Sequence, residues 1–189
     1  MAFPGRGFAG VDPIMKEKKE KADLVDDLSR KVLAEARAGG LTISCAESCT
    51  GGLLAGAITD IAGSSDVFAG GVISYSNRSK SMVLKVPEEL IREHGAVSEE
   101  CALAMARGAM DLFESDVACS VTGIAGPGGA TPGKPVGLVW FALVSRSGGK
   151  TFAEFFKGNR RAIREMAVAF ALTEMAAALK RARGAGHAG

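Results

Sequence analysis

The spacing of apolar residues predicts a chain in which helices and strands alternate. Residues 16–38 begin with charged side chains and continue with apolar ones at helical spacing, which predicts a first helix ended by Gly39-Gly40. The apolar run 41–46 is short enough to be a buried strand. Apolar positions then recur at helical spacing over residues 50–61, which predicts a second helix.

The remaining chain continues this alternation. Ser98 precedes two glutamates and an apolar stripe, so it is predicted to cap a helix. Asn159 is predicted to cap a long final helix that ends near residue 182. Short helices are expected at 76–84 and from Pro87 as the first helical residue, and strands at 67–75, 117–121, 138–144 and 151–156, the last two joined as a hairpin.

These elements favour an α/β sandwich organised as one domain. The hairpin makes the expected five-stranded sheet mixed rather than purely parallel. A length of 189 residues is enough for a single domain with its own hydrophobic core. We expect that domain at residues 16–183, a flexible N-terminal extension at 1–15 and a disordered tail at 184–189.

Composition and charge argue against several functional classes. The net charge is only +2 and no basic-aromatic strip is evident, so nucleic-acid binding is not expected. No apolar run approaches the roughly 20 residues of a membrane span, and the N-terminus lacks the pattern of a secretory signal. The four cysteines lie in apolar surroundings, which predicts reduced thiols of a cytoplasmic protein and no zinc or other metal site.

Candidate chemistry begins at the turn after the first predicted strand. Ser48 lies there, within Ala46-Glu47-Ser48-Cys49-Thr50-Gly51-Gly52, and ligands of α/β sheets collect at the carboxyl ends of strands. A hydroxyl in this place can attack a carbonyl carbon, and N–H groups at the start of the next helix can bind the oxyanion. The alternative is that Ser48 or Thr50 only caps the helix.

A serine nucleophile needs a base, and neither histidine is well placed to be one. His94 lies at a predicted helix end and His187 in the Gly/Ala tail. Lysine is the usual substitute once desolvation lowers its pKa. Lys80 can take the proton of Ser48 directly or through the hydroxyl of Tyr75. The alternative is that Lys80 is a solvated surface lysine.

Two further features indicate a binding site for an anion. The Gly- and Pro-rich segment 122–137 can wrap a phosphate with backbone N–H groups, although it matches neither the P-loop nor the Rossmann spacing. Arg160, Arg161 and Arg164 lie in the first turns of the final helix, where cations oppose the helix dipole unless an anion binds nearby. The alternatives are a long surface connection and a solvated basic face.

All three candidate segments begin where a predicted strand ends. They are the turn at Ser48, residues 75–80 and the loop 122–137. Because the carboxyl ends of parallel strands meet at one edge of a sheet, we expect these segments to face a single pocket.

Four motifs follow one another along the chain: Ala46-Glu47-Ser48-Cys49-Thr50-Gly51-Gly52, Gly70-Gly71-Val72-Ile73-Ser74-Tyr75-Ser76-Asn77, Gly95-Ala96-Val97-Ser98-Glu99 and Thr122-Gly123-Ile124-Ala125-Gly126-Pro127-Gly128-Gly129. In this order they resemble the CinA C-terminal domain family, which includes stand-alone nicotinamide-nucleotide amidases. The resemblance extends from about residue 22 to residue 179, nearly the whole predicted domain.

The resemblance implies a three-layer α/β/α sandwich with a mixed, mostly parallel sheet. It implies hydrolysis of the carboxamide of nicotinamide mononucleotide to nicotinic acid mononucleotide and ammonia, a step in pyridine nucleotide recycling. The expected partner is this small-molecule nucleotide, without a cofactor, and a homodimer is compatible with the sequence.

The same resemblance assigns roles to individual residues. It places the nucleophile at Ser48, the base at Lys80 and a supporting hydroxyl at Tyr75. It leaves open which arginine of the final helix contacts the substrate. The substrate-binding positions that it implies are Thr50, Gly51, Asn77, Thr122, Gly123, Gly126, Gly128, Arg160 and Arg164.

Two alternatives to this hypothesis remain open at the level of sequence. Cys49 is a rival nucleophile, because it is adjacent to Ser48 and a thiol is intrinsically more reactive than a hydroxyl. The rival functional class is a non-catalytic nucleotide-binding or interaction module associated with competence and DNA damage, which would use the same pocket.

Overall fold

The computed structural model describes residues 13–186. A one-turn 3₁₀ helix at Ser64–Asp66 follows the second helix. In chain order the other elements are α1 (Pro13–Gly39), β1 (Ile43–Glu47), α2 (Leu53–Thr59), β2 (Phe68–Ile73), α3 (Asn77–Leu84), α4 (Glu88–His94), α5 (Glu99–Phe113), β3 (Val117–Gly123), β4 (Leu138–Ser145), β5 (Gly148–Phe155) and α6 (Arg160–Gly186).

Within the described residues, five strands form one mixed sheet in the order β2-β1-β3-β4-β5. The strand β1 pairs in parallel with both β2 and β3, whereas β4 runs antiparallel to β3 and β5. Four of the five strands therefore point the same way and only β4 is reversed. This arrangement confirms the mixed, mostly parallel sheet and the hairpin between β4 and β5.

Helices cover both faces of the sheet, which confirms the three-layer α/β/α sandwich. The helices α1, α2 and α6 pack on one face, and α3, α4 and α5 lie on the other. Neighbouring residues of β3 divide between the two cores, since Val117 and Cys119 face the first group of helices and Ala118 faces the second. Burial on both faces explains why this strand is apolar throughout rather than alternating.

Several predicted boundaries were wrong. The helix α1 begins at Pro13 rather than 16, and α6 continues to Gly186, so parts of the predicted extension and tail are helical. The rest of both segments, residues 1–12 and 187–189, lies outside the described residues. The strand β3 runs on to Gly123, two residues into the segment predicted to be a loop.

The second helix shows the largest difference in boundary. It was predicted over residues 50–61, yet α2 spans only Leu53–Thr59. Gly51 and Gly52 have φ values of 60° and 95°, in the left-handed region that ends or precedes an α-helix. Pro87 was likewise predicted as the first residue of a helix, but it is the N-cap residue of α4.

Close packing between α3 and α5 positions the helix that carries Lys80. Gly108 of α5 lies so close to α3 that a Cβ atom there would collide with the backbone carbonyl oxygen of Leu84. Glycine lets the two backbones approach, and Leu84 itself is buried against α5. This contact packs the C-terminal end of α3 directly against α5.

Candidate active site

The carboxyl ends of β1 and β2 bring Ser48 and Lys80 together. Ser48 follows directly after β1, and Lys80 lies in the first turn of α3, which begins shortly after β2. The Nζ atom of Lys80 lies 3.0 Å from the Oγ atom of Ser48. The two side chains are separated by 32 positions along the chain, so only the parallel pairing of β1 and β2 makes this contact possible.

Local hydrogen bonds hold Lys80 in its place. The hydroxyls and N–H groups of Ser76 and Ser79 form a capping box that starts α3. The Nζ atom of Lys80 donates to the backbone oxygen of Ser74 at 2.7 Å, while the N–H of Ser74 donates to the backbone oxygen of Glu47 at 2.8 Å. The amine is therefore tied through Ser74 to the last residue of β1.

The surroundings of Lys80 favour an uncharged amine. The residue is only 1% exposed, and burial lowers the pKa of its amine below the usual value. The nearby thiols of Cys101 and Cys49 partly oppose this shift in pKa. No carboxylate of the described residues forms an ion pair with Lys80. A buried lysine without a carboxylate partner is suited to accept a proton.

The turn that carries Ser48 leaves two backbone N–H groups available. The N–H of Ser48 donates to the oxygen of Val121, and the N–H of Gly51 donates back to the oxygen of Ser48 at 3.2 Å. By contrast, the N–H groups of Cys49 and Thr50 donate to no other described residue. Among the described residues, the N–H groups of Cys49 and Thr50 therefore have no protein acceptor and could bind an oxyanion, whereas the N–H of Gly51 is occupied.

Glu47 was not among the residues predicted for the site, although its carboxylate organises this turn. Glu47 is 1% exposed and accepts hydrogen bonds from the N–H groups of Gly52 at 2.9 Å, Leu54 at 3.1 Å and Ala55 at 2.8 Å. These N–H groups belong to the N-cap residue and the first turn of α2. The only signal in the sequence was an acidic residue inside an otherwise apolar strand end.

Cys49 is present beside Ser48 but is poorly suited to be a nucleophile. It is only 6% exposed, and burial raises the pKa of its thiol to about 12, with a smaller contribution from the charge of Glu47. The thiolate is the reactive form of cysteine, so this thiol is inert near neutral pH. Ser48, in contrast, is partly exposed and faces Lys80.

The two arginines of α6 occupy different places. Arg160 is exposed, and it donates to the hydroxyl of Tyr75 at 2.8 Å and to the backbone oxygen of Gly126 at 2.9 Å. Arg164 is partly buried and donates to the backbone oxygen of Thr50 at 2.7 Å. Arg160 thus lies at the surface of the site, whereas Arg164 binds the backbone of the turn that carries Ser48.

Tyr75 lies at the rim of the site rather than between Ser48 and Lys80. It is 59% exposed, and its hydroxyl accepts the hydrogen bond from Arg160 and makes none with Ser48 or Lys80. A proton relay through Tyr75 is therefore unnecessary, because Lys80 reaches Ser48 directly.

The remaining predicted positions are only partly brought together. Thr122 is buried, and its hydroxyl donates to the backbone oxygen of Ala96. Gly123 lies against the backbone of β4, and Asn77 and Gly128 are exposed. The hydroxyl of Thr50 is buried and has no hydrogen-bond partner among the described residues. The common edge of the sheet places Thr122 and Gly123 beside Ser48, because β3 pairs with β1.

Neither a metal-binding cluster nor a membrane-spanning helix is found in the described part of the chain. No group of three or more His, Cys, Asp or Glu residues is arranged to hold a metal ion there. No helix of residues 13–186 is long and apolar enough to cross a membrane.

Comparisons of this chain with family models and with known protein sequences point to the same family. The model of the CinA C-terminal domain matches residues 25–179. The nicotinamide-nucleotide amidohydrolase PncC of Shigella flexneri is 49% identical over 146 residues, which cover 77% of this chain and 88% of that protein. A CinA-like protein of Mycolicibacterium gilvum is 51% identical over 154 residues, but these are only 35% of its length.

Solved structures show the same fold. A competence-damaged protein (CinA) superfamily protein from Klebsiella pneumoniae superposes with a TM-score of 0.80 at 36% sequence identity. The match covers 83% of this chain and 98% of that structure.

Proposed function

Because the chain belongs to the CinA C-terminal domain family, we propose that it hydrolyses the carboxamide of nicotinamide mononucleotide to nicotinic acid mononucleotide and ammonia. The observation that carries this proposal is the 3.0 Å contact between the Ser48 hydroxyl and the buried amine of Lys80. The 49% identity to a protein named for this amidohydrolase supports the choice of substrate.

The first half of the proposed reaction is acylation of Ser48. The neutral amine of Lys80 takes the hydroxyl proton while Oγ forms a bond to the carboxamide carbon. The N–H groups of Cys49 and Thr50 bind the oxyanion of the tetrahedral intermediate. The C–N bond then breaks, and the Lys80 ammonium returns its proton to the leaving nitrogen, which departs as ammonia.

The second half of the reaction releases the acid. Lys80 takes a proton from water, and the resulting hydroxide attacks the acyl carbon. The ester bond breaks, Ser48 recovers its proton from Lys80, and the carboxylate product leaves. Both halves use the same amine alternately as base and acid, so a single buried lysine is sufficient.

We assign the substrate phosphate to the side of the site where Arg160 lies. Arg160 is exposed and its guanidinium is held by Tyr75 and Gly126, so it is oriented without an acidic partner among the described residues. Arg164 instead supports the turn through Thr50. The remaining positions proposed to line the pocket are Gly51, Asn77, Thr122, Gly123 and Gly128.

The test is ammonia release from nicotinamide mononucleotide by purified variants. Ser48→Ala and Lys80→Met should each lower kcat by about 10³-fold or more, because members of one catalytic unit act together. The exposed Lys157→Ala variant is the matched control and should retain wild-type activity. Circular dichroism should show that all three variants are folded.

Three results would contradict the proposal. Retention of more than a tenth of the activity by Ser48→Ala or Lys80→Met would exclude the serine-lysine pair. Inactivation of the wild type by thiol reagents, together with an active Ser48→Ala variant, would assign the nucleophile to Cys49. Calorimetric binding of the nucleotide without turnover by the wild type would favour the non-catalytic module.

Two further parts of the proposal concern the location and the oligomeric state of the protein. We propose that it acts in the cytoplasm, in line with its four reduced cysteines. We also propose a homodimer, which light scattering of the purified protein would test directly by molar mass.

A further inference from the structure

We propose that Glu47 is the positioning residue of this site. Its buried carboxylate ties the start of α2 to the end of β1 and so orients Ser48 toward Lys80. This inference rests on the proposed amidase function for its kinetic part only. The structural part, that one carboxylate fixes the nucleophile turn, can be measured without any substrate.

The carboxylate of Glu47 is bonded to three backbone N–H groups beyond the turn and to one thiol. It accepts from the N–H groups of Gly52, Leu54 and Ala55, and the thiol of Cys45 approaches it at 3.9 Å. No lysine or arginine of the described residues forms an ion pair with it. A buried charge without a cation is tolerable only where several oriented N–H groups bind it.

The helix α2 depends on this carboxylate for its first turn. The initial N–H groups of an α-helix have no partner within the helix and are usually satisfied by the side chain of the N-cap residue. Here the N-cap residue is Gly52, which has no side chain and a φ of 95°. Glu47 supplies the missing acceptor from five residues earlier, across the turn that contains Ser48.

The same residue also anchors the lysine side of the site. The backbone oxygen of Glu47 accepts from the N–H of Ser74, whose own oxygen accepts from Lys80 Nζ. The side chain of Glu47 thus fixes the nucleophile turn, and its main chain fixes the segment that holds the base. Ser48 and Lys80 are therefore both positioned through contacts with Glu47.

Glu47 has a second effect on the turn, through the N–H groups it occupies. Because its carboxylate binds the N–H groups of Gly52, Leu54 and Ala55, those of Cys49 and Thr50 are the ones left to face the oxyanion. Its charge also adds to burial in raising the pKa of the Cys49 thiol. The carboxylate therefore helps to leave Ser48 as the reactive group.

Glu47 is not the catalytic base. Both of its oxygens accept backbone N–H groups, and it makes no hydrogen bond with Ser48 or Lys80. Burial lowers the pKa of Lys80 and two nearby thiols partly oppose that shift, whereas Glu47 is not among its causes. Removal of its charge should therefore change the geometry of Ser48 without changing the proton affinity of Lys80.

The experiment compares Glu47→Gln and Glu47→Asp with the exposed control Glu89→Gln. In Glu47→Gln the new amide group faces N–H donors, so the turn shifts, and a misplacement of about 1 Å lowers kcat by roughly 10²-fold with little change in KM. The midpoint of the pH profile of kcat/KM should stay at the wild-type value. Glu89→Gln should match the wild type in all of these measurements.

Amide hydrogen exchange provides the readout that is independent of catalysis. Exchange at Gly52, Leu54 and Ala55 should be at least tenfold faster in Glu47→Gln than in the wild type, while exchange in β3 stays unchanged. Should Glu47→Gln fail to fold, Glu47→Asp serves as the test variant, since it keeps the charge but reaches one methylene less far.

The outcomes separate this inference from the proposed function. Faster exchange with a loss of kcat supports it, and faster exchange in a protein whose wild type releases no ammonia supports its structural part while refuting the amidase proposal. Unchanged exchange in the folded variants overturns the inference. A shifted pH midpoint overturns the inference as well, because Glu47 would then act on Lys80 through its charge. An effect of the substitution confined to KM also overturns it.

Discussion

Lys80 combines a long cationic side chain with almost complete burial. The ammonium form of lysine is strongly hydrated, and removing that hydration without a carboxylate partner disfavours the charge. Its hydrogen bonds go to a hydroxyl and a backbone oxygen, both neutral. The folded protein therefore holds an amine that gives up its proton more easily than a solvated lysine does.

The first prediction at this scale concerns pH. Burial lowers the pKa of Lys80 below 10.5, and the neutral amine is the proposed base, so kcat/KM should rise with pH through this lowered pKa. The measurement is ammonia release between acidic pH and pH 10 by the wild type. A profile that is flat, that falls with pH, or whose midpoint lies at or above the usual lysine value would contradict the assignment of Lys80.

At the scale of elements, the position of α3 depends on its contact with α5. Gly108 has no side chain, and the backbone of α3 at Leu84 occupies the place where a Cβ atom would lie. A methyl group there would have to push α3 outward. Since Lys80 is on α3 and Ser48 is not, such a displacement would lengthen the distance between the Lys80 amine and the Ser48 hydroxyl.

The second prediction tests this contact with a pair of glycines in helices. Gly108→Ala should destabilise the protein by about 2 kcal/mol or more, as overpacking does, and should reduce activity in the remaining folded protein. Gly56→Ala is the matched control, because nothing lies within 4 Å of a Cβ atom at that position of α2. Alanine at residue 56 should be neutral or stabilising by up to about 1 kcal/mol.

Denaturant unfolding provides the measurement for both glycine variants. Midpoints in urea at constant slope give the change in the free energy of unfolding. Equal stability of Gly108→Ala and the wild type would mean that α3 moves freely relative to α5, contrary to the packing described above.

At the scale of the whole molecule, the site belongs to no single layer. Ser48 leads into α2, which packs with α1 and α6 on one face of the sheet. Lys80 belongs to α3, which packs with α5 on the other face. The sheet between the layers joins them, so the contact between Ser48 and Lys80 exists only while both layers are attached to the ends of β1 and β2.

The third prediction is that activity and global structure are lost together. Trp140, the only tryptophan, lies on β4 and packs into the core beneath α5. Its fluorescence, the far-UV circular dichroism and the amidase activity should show the same midpoint in urea. Loss of activity at a distinctly lower concentration would show that the turn or α3 opens locally before the domain unfolds.

Much of this architecture could be predicted from the chain alone. Periodicity located the strands and helices, the hairpin predicted the mixed sheet, and the caps at Ser98 and Asn159 are confirmed by their hydrogen bonds to Cys101 and Ala162. These features are local, since they depend on residues a few positions apart. Boundaries were wrong where glycines of positive φ interrupted an apolar pattern, as at Gly51 and Gly52.

The sequence by itself determined the elements, their order and the candidates Ser48 and Lys80, because each of these follows from the types and spacing of neighbouring residues. Only the tertiary structure decided that the two groups lie 3.0 Å apart, that Tyr75 turns to Arg160, and that Glu47 binds the start of α2. Pairing register, burial and the direction of a side chain depend on segments distant in the chain. For that reason the charge state of Lys80 is a property of the fold, although its identity is a property of the sequence.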